Sequence, residues 1–162
     1  MNKSLLVKTL KRVVMPFDYK CKGTLFWRSG RELTTLIQCQ ASRWGSGHYI
    51  NFGVTPTAMV TKSYPPSCGY WGLQNRAEDI ASPFREEFDR IAIGDQLPRS
   101  DRLEAALKWV VEWLEEQFGD SERARGAVLK AFPNEWGILQ DWARGQLGPP
   151  STYFSNVRYY RQ

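Results

Sequence analysis

Histidine is almost missing from this sequence: His48 is the only one, and there are just three cysteines, Cys21, Cys39 and Cys68. One imidazole and widely spaced thiols cannot supply the four clustered ligands of a zinc site. An odd number of distant cysteines sets no disulfide framework either, so three reduced, mostly buried thiols are expected. No stretch reaches the ~20 apolar residues of a membrane-spanning helix. Lys8, Lys11 and Arg12 interrupt the only apolar run near the N-terminus, so a helix is read there, not a signal peptide. Neither phosphate-binding glycine pattern, Gly-x-x-x-x-Gly-Lys or Gly-x-Gly-x-x-Gly, occurs. Ser42 and Ser46 lack the Gly-x-Ser-x-Gly elbow, and only His48 could act as their base. These absences leave no recognisable catalytic, metal or cofactor motif, and the expectation is a non-enzymatic protein without cofactor.

What is abundant is aromatic. Phe, Trp and Tyr make up 14 % of the 162 residues, and seven are Trp. Trp is costly to leave in water, so these rings belong in a core or at an interface. The net charge of +5 is unevenly spread. Residues 1–31 carry Lys3, Lys8, Lys11, Arg12, Lys20, Lys22, Arg28 and Arg31 against Asp18, whereas residues 101–122 are acidic on balance. Glu86-Glu87 and Glu115-Glu116 are adjacent pairs. On a helix, neighbours diverge by about 100°, so they are solvated faces and not an acid–base couple.

Leu6, Leu10, Val13 and Val14 follow helical spacing, and Pro16 ends that helix. A strand over 24–28 and a turn at Ser29-Gly30-Arg31 come next. Residues 32–41 alternate, with Leu33, Thr35, Ile37, Cys39 and Ala41 on one face. Residues 49–55 alternate again, with Ile50, Phe52 and Val54 opposite Tyr49, Asn51 and Gly53. Trp27 is assigned to the core with Arg28 outside; Trp44, in the glycine-rich connection, is assigned to the surface, as is His48. Residues 56–83 are punctuated by proline and glycine and read as one long irregular segment, a form often functional. A fourth strand is expected at 88–93, ending at Gly94.

Ser100 is expected to cap a helix that Gly119 closes, with Leu103, Ala106, Leu107, Val110, Leu114 and Phe118 inward and Trp109 and Trp113 at its edge. Further helices follow Ser121 and span 134–146, and Gly148-Pro149-Pro150 stops the helical region. The expectation is an α+β fold: an N-terminal helix, an antiparallel meander of about four strands, and C-terminal helices packed on one face. Residues 1–150 form one domain and 151–162 an aromatic, basic tail.

Phe26-Trp27-Arg28, Ser42-Arg43-Trp44-Gly45 and Tyr49-Ile50-Asn51-Phe52-Gly53-Val54 carry a family resemblance. With them the chain resembles domain-of-unknown-function family 4304, in which a helix precedes a strand meander with an Asn-x-Gly-Val signature and then helices. The resemblance covers residues 1–120 as an arrangement and is sharp over 42–54. It implies a bacterial, cytoplasmic α+β protein and, since such proteins often lie near polymorphic toxin genes, an immunity-like or antitoxin-like role.

The functional expectation is therefore a module that binds a protein, a toxin being the partner that the resemblance implies, and no membrane. The candidate binding residues are Arg43, Trp44, His48, Asn51, Tyr70, Trp71, Tyr159 and Tyr160. The alternative is a nucleic-acid-binding domain using Lys8, Lys11, Arg12, Lys20, Lys22 and the tail, with bases stacked on aromatics.

Overall fold

The apolar stripe near the N-terminus forms helix α1, Lys3–Val14, which buries Leu6, Thr9, Leu10, Val13 and Val14. Thr9 is tolerated inside because its hydroxyl donates to the Leu5 carbonyl at 3.0 Å. Pro16 sits in a 3-10 turn, Met15–Phe17, and Asp18 takes a left-handed φ of 60° that redirects the chain. The computed structural model describes residues 3–61, 72–94, 98–131 and 137–154.

Five strands follow: β1 (Lys20–Lys22), β2 (Leu25–Ser29), β3 (Leu33–Ala41), β4 (His48–Pro56) and β5 (Leu73–Arg76). They pair in chain order, every neighbour antiparallel. The register sets Phe26 beside Ile37 and Ile37 beside Phe52, so three strands give one apolar face. Trp27, Leu36 and Gly53 line up on the opposite face. The sequence pattern shows neither β1 nor β5. All of β1 is exposed, so it has no alternation to read, and β5 buries only Leu73.

The helical layer consists of α2 (Ala77–Ile80), α3 (Arg85–Ile93), α4 (Ser100–Phe118), α5 (Ser121–Ala131), α6 (Gly137–Ala143) and α7 (Pro150–Phe154). The whole anticipated stripe of α4 is buried, with Val111 in addition. At about 1.5–3 kcal/mol per large apolar side chain, this stripe is a principal source of stability. Trp113, at the stripe's edge, meets Phe52 edge-on at 5.3 Å and Phe118 at 5.8 Å. Arg28 pairs with Glu115 at 2.5 Å, tying β2 to α4, and the buried Glu87 takes Arg102 at 2.7 Å, tying α3 to α4.

Several expectations are corrected. Residues 88–93 are not a strand but the end of α3. Phe88 and Ile91 are buried three apart while Asp89 and Arg90 face solvent, and Glu86–Arg90 is an i,i+4 pair at 2.6 Å. Gly94 ends this helix at φ 81°. Ser100 is the first residue of α4 and makes no capping bond from the N-cap position, which Arg99 holds. Gly119 does close α4 as its C-cap, though with right-handed backbone, and a Cβ there would lie 2.4 Å from the Glu115 carbonyl oxygen. Pro150 starts α7 instead of stopping the helices. Residues 56–83 are not one irregular segment, since β5 and α2 lie in them. Trp27 is half-buried: Phe26 takes the core side of β2, so its neighbour must face the other way. Cys39 is buried, but Cys21 is exposed on the edge strand β1, and Cys68 lies outside the described residues.

Candidate functional site

The connection between β3 and β4, residues 42–47, is short and tightly held. The Ser42 amide donates to the Gly47 carbonyl at 2.9 Å, and the Ser42 hydroxyl accepts from the Trp44 amide at 3.2 Å. Its far side rests on the end of α3. A Cβ at Gly47 would stand 1.7 Å from the Ala92 carbonyl oxygen, so only glycine allows this approach. Ser46 Oγ lies 3.5 Å from the Gly94 carbonyl oxygen. On this fixed backbone the Trp44 side chain is 94 % exposed. Arg43 beside it is exposed and makes no ion pair among the described residues. Ile93, at the end of α3, is a second exposed apolar side chain, adjacent in sequence to the residue that Gly47 touches.

His48 follows at once but does not join them. Expected at the surface, it is 7 % exposed. The strand alternation puts it on the same face as Ile50 and Phe52, toward the helices. Burial lowers its pKa, and the Lys3 ammonium lowers it further. Its Nδ1 has no hydrogen-bond partner among the described residues. Asn51 points the other way, onto the opposite face of the sheet, where it too is buried. Tyr70, Trp71, Tyr159 and Tyr160 lie outside the described residues. Of the four candidates that are described, only Arg43 and Trp44 share a surface.

Asn51 belongs to a different feature, a polar depression of about 510 Å³ lined by Gln40, Asn51, Gln74, Asn75, Arg76 and Asp79. Asn51 Nδ2 donates to Gln40 Oε1 at 2.6 Å. The Arg76 guanidinium stacks 3.9 Å from the centre of the Tyr49 ring and reaches Glu78 at 3.4 Å. Desolvation raises the Glu78 pKa, and Arg76 opposes that rise. Carboxamides both donate and accept, so this depression suits hydrogen-bonded recognition. Gln40 and Asn51 were legible as open-face positions. Arg76 and Asp79 were not, because β5 and the α2 turn after it bring them there.

Among the described residues the helical side offers no nucleophilic thiol. Burial pushes Cys39 up to about 11, so it stays protonated at neutral pH. Among the described residues, no three His, Cys, Asp or Glu side chains gather as a metal site. No described helix is long and apolar enough to cross a membrane. On the basic side, Lys8, Lys11, Lys20 and Lys22 are exposed and unpaired among the described residues, whereas Arg12 is paired with Glu104 at 2.5 Å. No family model, curated protein or solved structure matches the chain.

Proposed function

We propose that this chain is a non-enzymatic interaction module that binds another protein through the tip of its β3–β4 hairpin, with Trp44 as anchor and Arg43 beside it. The observation that carries this reading is a fully displayed indole on a backbone already fixed against α3. A large exposed ring is costly in water, and Trp and Arg are the residues that most often anchor interfaces. Because the loop is already ordered, binding loses little backbone entropy. The resemblance to family 4304 over residues 42–54 makes a bacterial toxin the partner to try first.

The test is a photo-crosslinking amino acid at position 44, with Trp44→Ala compared in a purified pairwise binding assay. Crosslinks to one defined protein, and affinity reduced about thirtyfold or more by Trp44→Ala, are the expected results for an anchor worth about 2 kcal/mol. Unchanged affinity in the variant defeats the proposal.

A nucleic-acid partner is the second reading. It is favoured by Lys8, Lys11, Lys20 and Lys22, exposed and unpaired among the described residues. Binding of that kind weakens steeply with salt as counterions are released. Charge reversal at Lys8 and Lys11 together with Lys20 would abolish it and leave Trp44-dependent protein binding intact.

A further inference from the structure

A second concavity, unrelated to the hairpin tip, lies where the β2–β3 turn meets α5 and the end of α6. Its volume is about 310 Å³, at the lower end of the about 300–1,000 Å³ common for small-molecule pockets. Pro56, Trp142 and Leu147 give it apolar walls, and its charged groups are Arg31, Glu32 and Arg125. A mostly apolar cavity with a few convergent polar groups is the usual form of a ligand site.

Both polar walls are held in place. The turn carrying Arg31 and Glu32 is closed by the Gly30 amide on the Leu33 carbonyl at 2.8 Å. It is then fastened to the chain after β4. The Thr57 amide donates to the Glu32 carbonyl at 2.8 Å, and the Thr57 hydroxyl donates to the Gly30 carbonyl at 3.0 Å. Arg125 is fixed from three sides. It pairs with Glu32, donates to the Trp142 carbonyl at 2.9 Å, and lies 4.6 Å from the centre of the Trp142 ring. Gly145, at φ 71°, turns the chain away after α6 and leaves the cavity open beside the ring.

The charges do not cancel. One carboxylate faces two guanidiniums, and Glu32 is taken by Arg125. Arg31 has no hydrogen-bond or ionic partner among the described residues. A guanidinium presents five N–H donors in a planar fork matched to a carboxylate. We propose that this cavity binds a carboxylate carried next to an apolar group, with Arg31 taking the carboxylate and Trp142, Pro56 and Leu147 receiving the apolar part. Arg125 acts as a positioning residue: it neutralises Glu32, which would otherwise repel the ligand.

Such a ligand is either a free organic acid or the C-terminal end of a peptide, and the test separates them. Phenylacetate and hexanoate stand for free acids, N-acetylphenylalanine for a chain end, and phenylacetamide for the uncharged control. Each is titrated against the full chain while the amide and indole NMR signals of Arg31, Gly145 and Trp142 are followed. Saturable shifts confined to these positions are expected with one or both carboxylate types and not with phenylacetamide. Arg31→Gln should weaken binding by about tenfold or more, the loss of a charged hydrogen bond. Arg31→Lys should recover part of it. Arg31 is exposed, so both variants should fold, and their thermal melts verify this. The proposal is overturned if no carboxylate gives a saturable shift, if phenylacetamide binds as well as phenylacetate, or if Arg31→Gln changes nothing.

Discussion

Along β4 successive side chains enter opposite environments. Ile50, Phe52 and Val54 point to the helices and are sealed there, Phe52 against Trp113 of α4. Tyr49 and Asn51 point to the open face, where Arg76 covers the Tyr49 ring and Asn51 bonds Gln40. One face is apolar and densely packed; the other carries carboxamides and a stacked cation beside the buried Leu36 and Thr34. The hairpin at the strand's start rests its far side on the end of α3 and leaves Trp44 bare. The difference shows how a single strand divides labour. Side chains toward the helices hold the fold; on the other face Asn51 and Thr55 are buried as well, and Tyr49 is the one left partly open.

Substitutions along this strand and its neighbours test that division. Phe52→Ala removes a fully enclosed ring and opens a cavity beside Trp113, so a loss of about 3–5 kcal/mol is expected in denaturant unfolding. A loss under about 1 kcal/mol would mean that the helical face is not the stabilising one. Gly47→Ala forces a methyl group into the Ala92 carbonyl, and the loop must shift, at about 1–3 kcal/mol. The melting temperature of that variant measures how firmly the tip is held on α3.

The tryptophans sharpen the comparison. Trp27, half-buried on the open face, should cost about 1–2 kcal/mol on replacement by Ala, part of the value for full burial. Trp44→Ala should stay within about 0.5 kcal/mol of the parent, as surface changes do. Paired thermal melts decide the order, and a larger loss at Trp44 than at Trp27 would mean that the tip is structural.

The smallest effect is a pH dependence at His48. In the unfolded chain this imidazole titrates near its ordinary 6.5, while in the fold its pKa is lowered by burial and by Lys3. The unfolded state then binds more protons in the window below 6.5, so stability rises with pH there and is lost on acidification. Melts between mild acid and neutrality should show that slope, and His48→Gln should flatten it.

Much of the helical face was legible because its residues repeat a period. Leu6, Leu10, Val13 and Val14 in α1, and Leu103 through Phe118 in α4, are buried where the spacing put them. The alternation in β3 and β4 was equally plain in the residue types, and it sets which side chains face the helices, although Thr34, Leu36, Asn51 and Thr55 on the other face are buried too. Residues 88–93 misled because a short apolar segment fits strand and helix alike, and only the Glu86–Arg90 spacing favours the helix. At the candidate site, Trp44 was legible as a surface residue from its glycine-rich setting. The burial of His48 was not, because it depends on α3 packing against the start of β4.

Composition and period by themselves therefore determined the α+β class, the central antiparallel pairing and the apolar side of each main element. Those follow from local rules: how far apart side chains recur, where proline and glycine interrupt, and which residues water excludes. Tertiary structure alone decided which polar groups meet. Arg76 reaches Tyr49 through strand pairing, and Glu32 reaches Arg125 across most of the chain. Gly47 had to be glycine only because α3 ends against it. Hydrogen bonds, ion pairs and close backbone approaches act over a few ångströms in space, and the order of residues along a chain does not state which distant segments will come that close.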